Sequence, residues 1–164
     1  MAFSAETCKF GDGFMFLGGS CNPTSWRKDL VIPILQEAGV GFFNPQIDDW
    51  SNDWAQRVED PAKKTSGAFL FVIDGQTRAV ASMVEAAAYM GAGRELYLVV
   101  SDIPDGLEIR GQVITGRQLD DLNRGREYVK LIAAERGYTV YESIEAALGA
   151  IVAKYGNKSV EVTR

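Results

Sequence analysis

Glu85 is the residue at which this sequence first suggests chemistry. It lies in RAVASMVEAAAYMGAG, a helical stretch apolar on nearly every side, and such helices are usually buried. An ionised carboxylate there is costly unless it is paired or used. Two readings stay open: an ion pair with Arg78, seven residues earlier on the same helical face, or a catalytic carboxylate. The chain has no histidine, which removes Ser-His-Asp and Cys-His catalysis and histidine-ligated zinc. Carboxylates must then carry any proton or nucleophile chemistry. Cys8 and Cys21 are too few for a four-thiolate site and are expected to be free thiols, with no histidine to activate Cys21.

Three further segments could bind a ligand. GGSCNPTSW, with Gly19, Ser20 and Asn22, offers backbone amides, hydroxyls and a helix N-terminus suited to an anion or to sugar hydroxyls. A tight turn before a capped helix would read the same way. It lacks the lysine and spacing of a P-loop and the GxGxxG of a dinucleotide site. Gln46, Asp48, Asp49 and Trp50 combine an amide, carboxylates and an aromatic ring that could hydrogen-bond to and stack on a nucleobase. A solvated loop with an anchoring tryptophan is the plainer reading, and one carboxylate pair does not make a magnesium site. In DDLNRGR the acidic residues suit a helix N-terminus, which leaves Asn123 and Arg124 as binding candidates beside Arg126.

Elements must bring these residues together. Residues 14–18 read as a buried strand, and Asn22-Pro23 as an N-cap with proline at the first helical position, opening a helix to about residue 38. A short strand at 40–43 and a polar helix at 52–64 follow. AFLFVI, residues 68–73, is apolar throughout and predicts a central parallel strand. Beyond it come a helix at 78–92, a strand at 95–100, an irregular segment at 101–117, a helix at 120–136, a strand at 138–141 and a helix at 143–155. This alternation predicts one α/β domain over residues 1–164, with a mainly parallel five-stranded sheet covered on both faces. Residues 1–12 and 157–164 are expected to be peripheral or flexible. Ligands in such sheets sit beyond the carboxyl ends of the strands, near the topological switch point, which gathers 18–24, 44–50, 74–85 and 101–117 around one cleft.

Composition bounds the partners. A length of 164 residues suits a single domain, and 46% hydrophobic with 24% charged residues is ordinary globular usage. No apolar run is long enough to span a membrane, and MAFSAETCKFGDGF lacks the basic and apolar regions of a secretory signal, so the cytoplasm is expected. The net charge of -5 carries no basic block, which argues against a nucleic-acid polymer. A small anion remains compatible, because a few arginines and backbone amides can hold one phosphate.

Taken together, GGSCNPTSWRKDLVIPILQEAGVGFFNPQIDDW, AFLFVIDGQTRAVASMVEAAAYMGAGRELYLVV and DLNRGREYV resemble the nucleoside 2-deoxyribosyltransferase-like family over residues 14–136. The resemblance implies a flavodoxin-like, Rossmannoid three-layer sandwich. It also implies a glutamate nucleophile, matching Glu85, that cleaves the N-glycosidic bond of a nucleoside or nucleoside monophosphate and passes the sugar to another base or to water. By the same carry-over Gly19 and Ser20 shape the sugar or phosphate pocket, Gln46 with Asp48 or Asp49 lies in the base-binding loop, and Asn22, Trp50, Ser82, Asn123 and Arg124 complete the substrate-binding set. Glu85, Asp74 and Asp60 are the expected catalytic carboxylates, with Glu59 as the alternative to Asp60. Arg27 or Arg78 is the candidate for a substrate phosphate. No metal or organic cofactor is needed, and a homodimer or larger assembly is expected. The sequence departs from the family's GxGxExG approach, having Ala81-Ser82-Met83-Val84-Glu85-Ala86 instead. Rival readings are a non-catalytic nucleotide-binding module on the same fold, a phosphoribohydrolase, whose PGGxGTxxE is missing, and a NAD-cleaving domain related to TIR modules.

Overall fold

Strict alternation along the apolar strands builds two cores, one on each face of a sheet. The computed structural model describes residues 14–156; the expectations for 1–12 and 157–164, and Cys8, lie outside the described residues. In β3 (Ala68–Ile73) every residue is buried, with Ala68, Leu70 and Val72 in one core and Phe69, Phe71 and Ile73 in the other. Successive side chains of a strand point to opposite faces, so a strand apolar on both faces must be covered twice. β1 (Met15–Gly19) and β4 (Glu95–Val100) flank β3, and β2 (Phe42–Phe43) and β7 (Val140–Tyr141) form the edges, in the order β2-β1-β3-β4-β7. All four pairings are parallel. The protein is an α/β three-layer sandwich with a five-stranded parallel sheet.

Helix α1 covers residues 27–37, a π-helical turn Arg27–Val31 continuing as Ile32–Glu37, and α2 covers residues 52–65 with a similar turn at Ala55–Glu59. α3 is Val80–Gly91, α4 is Gly116–Glu135 and α5 is Ile144–Tyr155. α1 and α5 cover the face of Leu70 through Val31, Leu35, Leu148 and Ile151. Ala62 of α2, Ala86 and Met90 of α3, and Val129 and Ala133 of α4 cover the face of Phe71. The chain reverses its direction of growth across the sheet between β1 and β3, which makes their carboxyl ends the switch point.

Three expectations about the elements are corrected. Asn22-Pro23 is not a helix cap: its peptide bond is cis, and α1 begins at Arg27 after Trp26. The segment expected to be irregular contains a hairpin, β5 (Leu107–Ile109) with β6 (Gln112–Ile114), packed on its own cluster of Ile103, Ile109 and Ile114. Its strands are three residues each, too short for a period to be read from sequence. Finally, α3 buries only one stripe, through Ser82, Ala86 and Met90, while Val84 is 66% exposed.

Candidate active site

At the carboxyl end of β1 the backbone of the sheet is left open by glycine. A Cβ on Gly18 would meet the Phe71 ring at 2.3 Å, and one on Gly19 would stand 2.0 Å from the Val72 carbonyl oxygen. Gly19 also has φ of +102°, which side-chain-bearing residues rarely adopt. The turn carries the chain to Ser20, buried at 2% exposure, whose Oγ accepts from the Asp74 N–H at 3.1 Å and lies 2.8 Å from Thr77 Oγ1. Asp74 Oδ1 accepts from the Gln76 N–H at 2.9 Å and lies 3.2 Å from Thr77 Oγ1. Asp74 Oδ2 is buried without a hydrogen-bond partner among the described residues. The ends of β1 and β3 are thus joined through side chains.

Two buried arginines hold this junction from beneath. Arg27 donates to the carbonyls of Leu17 at 2.9 Å, Ser20 at 2.6 Å and Gly19 at 3.3 Å, with its guanidinium 4.1 Å from the Trp26 ring centre. Arg126 of α4 donates to the carbonyls of Ser101, Leu122, Asp74 and Thr77 at 2.7 to 3.2 Å, and to that of Arg78 at 3.5 Å. Burial pushes both guanidinium groups down from their ordinary value, and the charge of Asp74 works against that push.

Above the junction lies a cavity of about 690 Å³, a size suited to a small organic ligand. Gly19, Ser20, Asn22, Thr77 and Ser82 contribute to its wall. Glu59, Asp60, Lys63 and Glu85 form a charged part of it, and Arg78 and Arg110 a second. Lys63 Nζ is 2.5 Å from Glu85 Oε1 and 2.7 Å from Glu59 Oε1, so one ammonium bridges α2 and α3. Burial works to lower its pKa, but the two carboxylates outweigh that and hold Lys63 well above the ordinary ammonium range. Glu59 Oε2 accepts from Trp50 Nε1 at 3.2 Å. The Glu85 side chain is 38% exposed, and its Oε2 has no hydrogen bond among the described residues.

A carboxylate, a fixed cation and a hydroxyl-lined wall share one cavity at the switch point, and residues 14–103 match the family described as Nucleoside 2-deoxyribosyltransferase like. The chain belongs to that family. No curated protein matches it. Of the cavity's wall residues in this deoxyribosyltransferase-like chain, only Ile109 and Arg110 lie outside the matched span.

The structure gathers most of the expected residues and separates others. Gly19, Ser20, Asn22, Trp50, Asp60, Ser82 and Glu85 line the cavity. Asp74 lies behind that wall, on Ser20 and Thr77. Gln46 joins two loops: its amide donates to Asn22 Oδ1 at 2.7 Å and to the Thr24 carbonyl at 3.0 Å. Asp48 and Asp49 are exposed beside it. Asn123 is engaged elsewhere, with Oδ1 and Nδ2 on the N–H and carbonyl of Ile103, and Arg124 is exposed with Asp121 at 3.7 Å. Neither is part of the cavity wall. Arg27 has its donors on the carbonyls of Leu17, Gly19 and Ser20, which corrects its candidacy for a phosphate. The pairing of Glu85 with Arg78 is also corrected, because Glu85 pairs with Lys63. Sequence reasoning missed Lys63, although Glu59 and Lys63 stand four apart in a helix, the spacing of a helical ion pair.

Proposed function

We propose that this protein cleaves the N-glycosidic bond of a (deoxy)nucleoside or nucleoside monophosphate, with Glu85 as nucleophile. What carries the reading is the position of the Glu85 carboxylate: on the cavity wall, one oxygen on Lys63 and the other unengaged within the chain. Lys63 fixes a positive charge where two carboxylates would otherwise repel each other, so both can face one ligand. Glu85 attacks the anomeric carbon; the carbon–nitrogen bond breaks, its electron pair leaves with the base, and the base takes up a proton from solvent water. The sugar is then held as an ester of Glu85, after an oxocarbenium-like transition state. Water attacks the same carbon, the electron pair of the ester bond returns to Glu85, and the sugar is released. A second base in place of water gives transfer.

Glu59 is the better-supported accessory carboxylate, because it shares Lys63 with Glu85 and accepts from Trp50. It would take the proton of the attacking water. Asp60, expected from the sequence, lines the same cavity, and Glu59→Gln against Asp60→Asn separates the two by the rate of ester breakdown. Trp50, 57% exposed at the rim, offers a face for a base, and Ser82 a hydroxyl for the sugar. Asp74 positions Ser20 and Thr77 and does not meet the substrate.

The test is release of free base from ribo- and deoxyribonucleosides and their 5′-monophosphates, with and without an acceptor base. Glu85→Ala is expected to lower release by about a thousandfold or more. Absence of release from folded wild-type protein on every substrate would leave the binding-module reading, with Glu85 as an ion-pair partner of Lys63.

A further inference from the structure

A second cavity, of about 250 Å³, adjoins the first at Lys63 and is walled by Asp60, Lys63, Lys64, Tyr89 and Arg94. Asp60 and Lys63 belong to both cavities, whereas Lys64, Tyr89 and Arg94 belong to the second alone. Its volume is below that of a drug-sized pocket and fits a small ligand. No step at Glu85 uses it.

The end of α2, the end of α3 and the residue before β4 build this wall. The carbonyls that close α2 are already engaged. That of Pro61 accepts from Thr65 Oγ1 at 2.8 Å, that of Ala62 from Ser66 Oγ at 2.7 Å, and that of Lys63 from Arg94 Nη2 at 3.1 Å. The same Nη2 donates to the Ser66 carbonyl at 2.7 Å, and the guanidinium lies 4.7 Å from the Phe69 ring centre. Arg94 is thus fixed at one nitrogen and one face, while its Nε and Nη1 have no hydrogen bond among the described residues. Tyr89 is fixed by its ring, 4.5 Å from that of Phe69, and its hydroxyl has no partner among the described residues. Burial pushes this hydroxyl up to about 12, which keeps it a neutral donor at pH 7. Lys64 is exposed, with no carboxylate within ion-pair distance among the described residues.

Donors held in place around one cavity, with the neighbouring carbonyls engaged elsewhere, suit a ligand that only accepts. We propose that the second cavity binds a small doubly charged oxyanion at Arg94, Tyr89 and Lys64, and that the bound anion acts on Glu85 through Lys63. A guanidinium offers paired donors to two oxygens of such an ion, and one already held on Phe69 loses little freedom in doing so. Asp60 is the one carboxylate of this wall and opposes the anion. An anion here competes with Glu59 and Glu85 for the Lys63 ammonium and loosens its hold on both. The binding is independent of the glycosidase reading; its effect on rate rests on that reading.

The probes are sulfate and malonate, an inorganic and an organic dianion, titrated calorimetrically against chloride at one low ionic strength. At least one dianion should bind wild type about tenfold or more tightly than chloride, and the tighter of the two tells the inorganic from the organic source. Tyr89→Phe keeps the ring and should lose about tenfold in affinity, and Lys64→Gln about threefold. Asp60→Asn should gain about threefold or more, an outcome that no loss of fold imitates. Arg78→Gln alters the first cavity alone and should bind as wild type. Saturating dianion should lower kcat for base release about threefold and leave KM unchanged. Binding no tighter than chloride, or affinity that follows Arg78 rather than Tyr89 and Lys64, would overturn the site. Inhibition competitive with the nucleoside would place the anion in the first cavity and overturn it too. Binding with no change in kcat would overturn the link through Lys63. Dianion binding that follows these residues in a protein without base release would keep the site and remove the glycosidase reading.

Discussion

Lys63 reaches two carboxylates from different helices with one ammonium, and the proposed chemistry at Glu85 depends on that shared cation. Lys63→Met leaves Glu59 and Glu85 facing each other without their shared cation. Base release is expected to fall about a hundredfold or more, because like charges at this range disfavour the doubly ionised site. Lys63→Arg restores the charge and should recover a substantial part of the rate. A merely structural lysine would show the same melting loss in Met and Arg variants, so melting temperatures measured beside the rates separate the two roles.

At the scale of elements, the site depends on α4, although α4 contributes nothing to the cavity wall. Arg126, fully buried, reaches back from α4 to the carbonyls of Asp74 and Thr77, about fifty residues earlier in the chain. Those carbonyls belong to the turn that presents Thr77 and Arg78 to the cavity. Replacing Arg126 with methionine leaves several buried acceptors unpaired, and a loss of about 3 kcal/mol or more is expected in chemical denaturation. KM should rise with it, because the turn loses its fixed position while Glu85 keeps its own.

Across the whole molecule, Glu95 ties the last helix to the sheet. Its Oε1 accepts from Tyr97 at 2.9 Å, Tyr155 at 2.6 Å and Lys154 at 2.6 Å. Burial works to raise its pKa, but the bonds from Lys154, Tyr155 and Tyr97 prevail and hold the carboxyl below its ordinary range. A lowered carboxyl contributes stability that is present above the unfolded value of about 4.3 and is lost as pH falls through the folded value. Wild type should therefore melt a few degrees above Glu95→Gln at pH 7. The gap should close as melts are repeated below about pH 4.

The alternation of apolar strands with helices, legible in AFLFVI and its neighbours, already determined the α/β sandwich, because a strand apolar on both faces can only lie inside two layers. The absence of histidine likewise left carboxylates as the bearers of chemistry, with Glu85 as the prominent one. What the sequence did not determine was who meets whom. Arg78 looked like the partner of Glu85 only if both stood on one helix, but Ala79 has φ of +50° and turns the chain, so Arg78 leaves the helical face. Lys63 and Glu85 lie 22 positions apart on separate helices, and only the packing of α2 and α3 on one face of β3 brings them within 2.5 Å. Arg27 and Arg126 were polar residues of open role until burial directed their donors to backbone carbonyls. Spacing along a chain records neighbours within a helix or strand; contacts between elements are set by the sheet order, which no local pattern contains.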